Sequence, residues 1–208
     1  MDKLKEAPTP KGKERNELVI SVALDLFLLH GYDDMRLDDV IIKIGGSKQS
    51  LYRYFGNKEK LFKAAMAHFS ITYEKDLRNL SYTSDNKLEQ FRTLADAILR
   101  SALSIKQLRF YRLLMGNSSR FPSIGEIWHQ KGLQAVSNVI YDFLQSIPSL
   151  QKSSYDLNVL ADALHGTLIY RLMNEAALLR QIPDEEKIVN TINITVEILK
   201  NFIKNIEK

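Results

Sequence analysis

The 208-residue sequence contains no cysteine. Disulfides, thiolate metal sites and cysteine nucleophiles are therefore excluded. Proline is scarce, with five in all. Three of them, Pro122, Pro148 and Pro183, stand where helices should stop or start. No run reaches the roughly 18 apolar residues needed to span a bilayer. The nearest approach, 18–29, is interrupted by Asp25. It lies behind a mixed-charge arm, Asp2 to Glu6, without the small-residue cleavage site of a signal peptide. A cytoplasmic chain with no membrane partner is expected. Internal repeats, low-complexity segments and strand-length alternation of period two are also missing. There is no Gly-x-Ser-x-Gly elbow and no phosphate-cradling loop, and Gly45-Gly46-Ser47 is too short a likeness to either. Glu126 and His129, three apart, form a lone pair where a carboxylate-bridged metal bundle needs more than one. A surface or packed pair is the plainer reading. No enzyme, metal or cofactor is expected.

Apolar residues instead recur at three and four almost throughout, the period of an amphipathic helix. Hydrophobic content of 45% and charged content of 26% are ordinary for a soluble globular protein. The pattern predicts an all-α fold of about nine helices, near 13–30, 37–44, 48–54, 58–80, 87–104, 106–117, 123–145, 155–179 and 184–207. Residues 1–10 read as a mobile arm. Leu18, Val19, Val22, Ala23, Leu26 and Phe27 form the expected buried face of the first helix, and Gly31 ends it. Asp38 and Asp39 suit the positive end of the second helix. Two domains are expected, 1–63 and 64–208, with the fourth helix leaving the smaller one.

The stretch 45–61 is the most informative. Two glycines lead into Ser47, placed to cap a free backbone N–H. A short segment dense in hydrogen-bonding side chains follows: Lys48, Gln49, Ser50, Tyr52, Arg53 and Tyr54. Gly56-Asn57 makes a second turn, and Lys58 opens the next helix. So short a helix needs a neighbour, and only Leu51 and Phe55 offer apolar contact. The remaining side chains are of the kinds that bond phosphates and base edges. Residues 43–63 hold six cations against Glu59 alone, a net +5, while the whole chain carries +4. A local basic patch is a footprint for a polyanion, or else a solvated lysine-rich face. With the short helix between two turns, this is the layout of a helix-turn-helix reader of DNA.

The first 63 residues resemble the DNA-binding domain of TetR-family transcriptional regulators. The match runs from Leu26-Phe27 through Gly31-Tyr32, Asp39-Val40, Gly45, Ser47-Lys48 and Leu51-Tyr52. It ends at Tyr54-Phe55 and Asn57-Lys58-Glu59-Lys60-Leu61, without a gap over about 36 residues. The resemblance implies that Lys48, Gln49, Ser50 and Arg53 face the major groove. Tyr52, Tyr54 and Lys58 would hold phosphates, and Lys11, Lys13 and Arg15 would reach the flanking backbone. Such proteins usually carry Ser or Thr at Arg36, so either Asp34 caps the second helix or Arg36 bonds phosphate. They usually carry alanine at Ile41 and an apolar residue at Gly46. A bulkier contact at 41 and a looser turn at 46 bear on the tilt of the recognition helix. The segment from Arg109-Phe110-Tyr111-Arg112 to Arg120-Phe121-Pro122 looks like the AefR-like branch.

In the second half, Ile188, Ile192, Val196, Leu199, Ile203 and Ile206 form one stripe of the last helix. Val189, Ile194, Ile198 and Phe202 widen it beyond what one partner helix needs. Val159 adds to the apolar surface of the preceding helix, and Ala161, Ala163 and Gly166 thin it for close approach. These residues suit either a thick monomer core or a four-helix homodimer interface, and the resemblance implies the dimer. Phe110, Tyr111, Met115, Trp128, His165 and Tyr170 are core residues or the lining of a small-molecule pocket, as the family plan implies. The implied function is a ligand-responsive repressor. It would bind a near-palindromic double-stranded operator as a homodimer and be released by a small, largely apolar molecule. The alternative is a helical DNA-binding protein without an inducer, architectural or constitutive.

Overall fold

The computed structural model describes residues 10–207, with the side chains of Pro10 and Lys11 left out. Most of the arm expected at 1–10, and the side chain of Lys11, thus lie outside the described residues. The chain divides into two compact units, Met1–Phe69 and Ser70–Lys208. The division falls inside a helix rather than at 63–64. Among the described residues all regular structure is helical.

The first unit begins with α1 (Pro10–Asp34), broken near its end by Gly31 at φ 80, ψ 178. Val19, Ala23, Leu24, Leu26 and Phe27 are its buried residues. Leu18, expected on that face, is 53% exposed. It lies one helical step beyond the edge of the buried stripe, and Leu24 takes up the inward position on the other flank. α2 (Leu37–Ile44) packs on α1 and buries Val40. Its N-cap, Arg36, is extended and makes no side-chain cap, while Asp38 and Asp39 occupy the first turn. α3 (Lys48–Phe55) follows, then α4 (Lys58–Arg78), which runs from the first unit into the second. Phe62 of α4 meets Phe27 and Tyr32 edge-on, each at 4.9 Å between ring centroids. Such aromatic contacts add to the area they bury, and here they tie α4 to α1.

The second unit contains α5 (Lys87–Ala102), α6 (Ile105–Asn117), α7 (Pro122–Trp128), α8 (Gln134–Gln145), α9 (Pro148–Gln151), α10 (Leu157–Leu179) and α11 (Glu185–Ile206). Asn86, Ser104, Asp156 and Asp184 cap α5, α6, α10 and α11 with their side-chain oxygens. Pro122 and Pro148 open α7 and α9, where their missing N–H costs nothing. The described residues hold eleven α-helices rather than nine. The predicted helix 123–145 is split by a π-helical turn, His129–Leu133, and α9 fills a stretch read as loop. Trp128, just before the π turn, lies against Gly132 so closely that any side chain there would run into its ring.

α10 is the centre of this unit, packed on α5, α6, α8 and α11, and α11 also packs on α5. Phe91, Ile98, Val136, Ile140, Leu164 and Leu168 are among its core residues. Ile192, Val196 and Leu199, expected at a dimer interface, belong to this core, and Ile203 is half-buried against it. The stripe at 188–206 is the face α11 turns toward its own unit. Val159, Ala163 and Gly166 on α10 do remain exposed, as do Val189, Ile194 and Ile198 on α11.

Candidate nucleic-acid interface

The candidate interface is built on α3. Its N-cap, Ser47, is extended (φ −111, ψ 150), and its Oγ accepts from the Ser50 N–H at 3.2 Å. Ser47→Ala is expected to cost about 1 kcal/mol of stability, the usual worth of such a cap, read as a lowered denaturant midpoint. Leu51 is buried and Phe55 half-buried, as the apolar spacing predicted. Lys48, Gln49, Tyr52, Arg53 and Tyr54 are exposed, and Ser50 is half-buried because it faces the cap. The Arg53 guanidinium lies 5.3 Å from the centre of the Tyr54 ring, which restrains it before any partner arrives.

Two of the cations are already engaged. Lys48 Nζ is 2.9 Å from Asp38 Oδ1 on α2, and this hydrogen bond and charge raise the ammonium pKa. Both partners are exposed, so the pair contributes little to stability and yields readily to a competing anion. Lys58 Nζ donates to the Asp33 carbonyl at 2.8 Å and lies 4.9 Å from the Tyr32 ring centre. It therefore braces the start of α4 against the end of α1, a structural duty that its place in the sequence did not reveal. Asn57 Oδ1 accepts from the Lys60 N–H at 2.8 Å, completing the turn into α4. Lys13 and Arg36 are exposed.

Residues 19–65 match the profile of the TetR family of bacterial regulatory proteins. Residues 89–149 match the C-terminal domain of AefR-like transcriptional repressors. The two together cover just over half of the chain. The chain belongs to the TetR family.

A TetR-family structure from Mesorhizobium loti superimposes with a TM-score of 0.76 at 22% identity, covering 89% of this chain and 94% of that one. The flavonoid-responsive regulator FrrA superimposes at 0.71 with 25% identity, over 93% and 97%. A DNA-binding transcriptional repressor TetR from Mycobacteroides abscessus is 36% identical over 56 residues. That match spans 27% of this chain and 30% of the repressor's length.

The second unit of this TetR-family chain places the predicted pocket residues unequally. Phe110 and Trp128 are buried, with ring centroids 5.0 Å apart. Tyr111 is half-buried, its hydroxyl donating to Asn174 Oδ1 at 3.3 Å. His165 is buried, with Nδ1 3.1 Å from Ser137 Oγ, and burial pushes its pKa down to about 4. Met115 and Tyr170 are 58% and 75% exposed, so they do not line the interior with the other four. Their helical spacing carried no sign of which way they point, because α6 and α10 are apolar over much of their circumference. Among the described residues no group of three His, Asp or Glu could hold a metal ion. No helix there is long and apolar enough to cross a membrane.

Proposed function

We propose that this chain is a sequence-specific DNA-binding transcriptional repressor acting in the cytoplasm as a homodimer on a near-palindromic operator. The observation that carries this reading is α3. It is an eight-residue helix, capped by Ser47, that keeps its apolar contacts to Leu51 and Phe55 and turns Lys48, Gln49, Tyr52 and Arg53 to solvent. Gln49 and Arg53, with Lys48 and Ser50, read base edges. Tyr52, Tyr54, Lys58, Lys13 and Arg36 meet phosphates. Lys58 does so from the N-terminus of α4, where free N–H groups favour an anion. Two reader helices related by a two-fold axis enter major grooves about 34 Å apart, or a multiple of a helical turn.

The second unit takes the effector, a small, largely apolar molecule near Phe110, Tyr111, Trp128 and His165. The naming of FrrA as flavonoid-responsive makes flat polyphenols the first class to try. Because α4 begins at the proposed phosphate contact and ends at Arg78, hydrogen-bonded to Asp142 of α8 at 2.7 Å, it is the path by which the effector lowers operator affinity.

Selection of bound duplexes from random DNA, followed by footprinting, tests the reading. A single protected short dyad supports it, whereas protection of any DNA supplied would make the chain an architectural binder. Gln49→Ala is then expected to relax base preference by roughly 1–3 kcal/mol at one operator position. The measurement is the affinity for duplexes substituted at each position, and a uniform loss at every position would reassign Gln49 to the backbone.

A further inference from the structure

The turn between α2 and α3 is held from outside by a residue of α1. Arg15 Nη2 donates to the Gly45 carbonyl at 3.1 Å, across thirty residues of chain. Gly45 is the C-cap of α2, its own N–H closing on the Ile41 carbonyl at 2.8 Å. The last carbonyls of a helix lack partners and carry partial negative charge. A guanidinium placed there is favoured on both counts.

The next residue explains why the arrangement needs glycine. Gly46 has φ 110, a backbone conformation side chains disfavour, and an added Cβ would stand 2.6 Å from Arg15 Nη2. An apolar residue, usual at this position in proteins the sequence resembles, would displace the guanidinium. The glycine at 46 and the arginine at 15 therefore belong together. Arg15, Asn16 and Val19 of α1 share one groove with Ile41 of α2 and Tyr54 of α3.

α3 has little else to fix its angle. Its one buried side chain is Leu51, and two successive glycines make a turn with much conformational freedom to lose. We infer that Arg15 is a positioning residue that latches this turn to α1 and so sets the angle at which α3 presents Gln49 and Arg53. The inference rests on the proposed sequence-reading function and adds to it a determinant of specificity that touches no base.

The test compares the tightest-binding duplex recovered from random DNA with a shuffled duplex of the same composition. Arg15 is exposed, so the fold is expected to tolerate its replacement. In Arg15→Gln the affinity ratio between the two duplexes should fall about tenfold, the scale of one disturbed base contact, with an unchanged thermal midpoint. A residue that only bonds phosphate would weaken both duplexes alike and make the salt slope shallower by about one. That result overturns the latch. Gly46→Ala should lower the ratio in the wild-type chain and lower it much less in the Arg15→Gln chain. Strain at φ 110 is present in both backgrounds, so the difference isolates the collision with the guanidinium. Additive effects of the two substitutions overturn the pairing. A wild-type selection that returns no preferred duplex overturns sequence reading, and the latch with it. A preferred duplex with an unchanged ratio in Arg15→Gln overturns the latch alone.

Discussion

Replacing Ile194 by glutamate is expected to leave the chain folded but monomeric, and to weaken operator binding by at least about a hundredfold. Ile194 is 59% exposed on α11, so its loss removes little from the core of its own unit. Exposed substitutions of this kind usually change stability by no more than about 0.5 kcal/mol. In the proposed homodimer, with the exposed face of α11 at the two-fold axis, the same substitution sets two carboxylates against an apolar face, and self-complementary interfaces are sensitive to such a change because it appears twice. Once the chains part, each reader helix must bind alone. Joining two binding modules commonly multiplies affinity by about 10²–10⁴ without any new contact, and that factor is what disappears. Sedimentation gives the mass, and titration of a full operator against a single half-site gives the affinities. A monomeric variant that still held the full operator tightly would mean that one α3 suffices. A variant that remained dimeric would move the interface away from α11.

The second large effect is a loss of stability in mild acid, traceable to His165. In an unfolded chain this imidazole takes a proton at its ordinary value of 6.5, whereas in the fold burial holds it neutral down to about 4. Asp162, one turn earlier on α10, opposes that shift but is outweighed by the burial. Between these two values the unfolded state binds more protons, so stability falls as the pH drops from 6.5 toward 4 and is insensitive to this group above 6.5. The full drop is on the order of 3 kcal/mol. His165→Gln keeps a polar partner for Ser137 Oγ but cannot titrate. Urea midpoints at about pH 7 and about pH 4.5 should therefore diverge strongly for the wild type and less for the variant. Equal divergence in both would place the acid sensitivity in the carboxylates instead.

What the sequence made legible follows from how local each signal is. Ser47 as a cap, Leu51 and Phe55 as the inward pair of α3, and the break at Gly31 depend on neighbours within a few residues, and they were readable. Which face of an apolar helix meets which partner depends on the whole unit. The stripe from Ile188 to Ile206 was strong enough to be noticed and wide enough to serve either its own core or a second chain. Only the packing of α11 on α5 and α10 assigns Ile192, Val196 and Leu199 to the core and leaves Ile194 and Ile198 outside. The π turn at His129–Leu133 leaves no mark in composition: each of its hydrogen bonds spans one residue more than in an α-helix, and this five-residue stretch has too few apolar residues to display the change of period. The brace from Lys58 to Asp33 and the latch from Arg15 to Gly45 join residues far apart in the chain, and periodicity says nothing of such pairs.

The placement of Trp128 also decides what light can report about this molecule. It is the only tryptophan in the chain, and residues 1–69 contain none. Its indole is 7% exposed, beside Phe110, 6.5 Å from the Tyr73 ring and pressed onto Gly132. Excited at the red edge, where tyrosine does not absorb, the emission arises from this one site in the second unit. It should be blue-shifted and shielded from acrylamide. Melting of the first unit by itself would leave the colour of that emission unchanged, while the far-ultraviolet dichroism of its helices would fall. A mismatch between the two signals during unfolding would thus identify which half of the chain opens first, without attaching any dye.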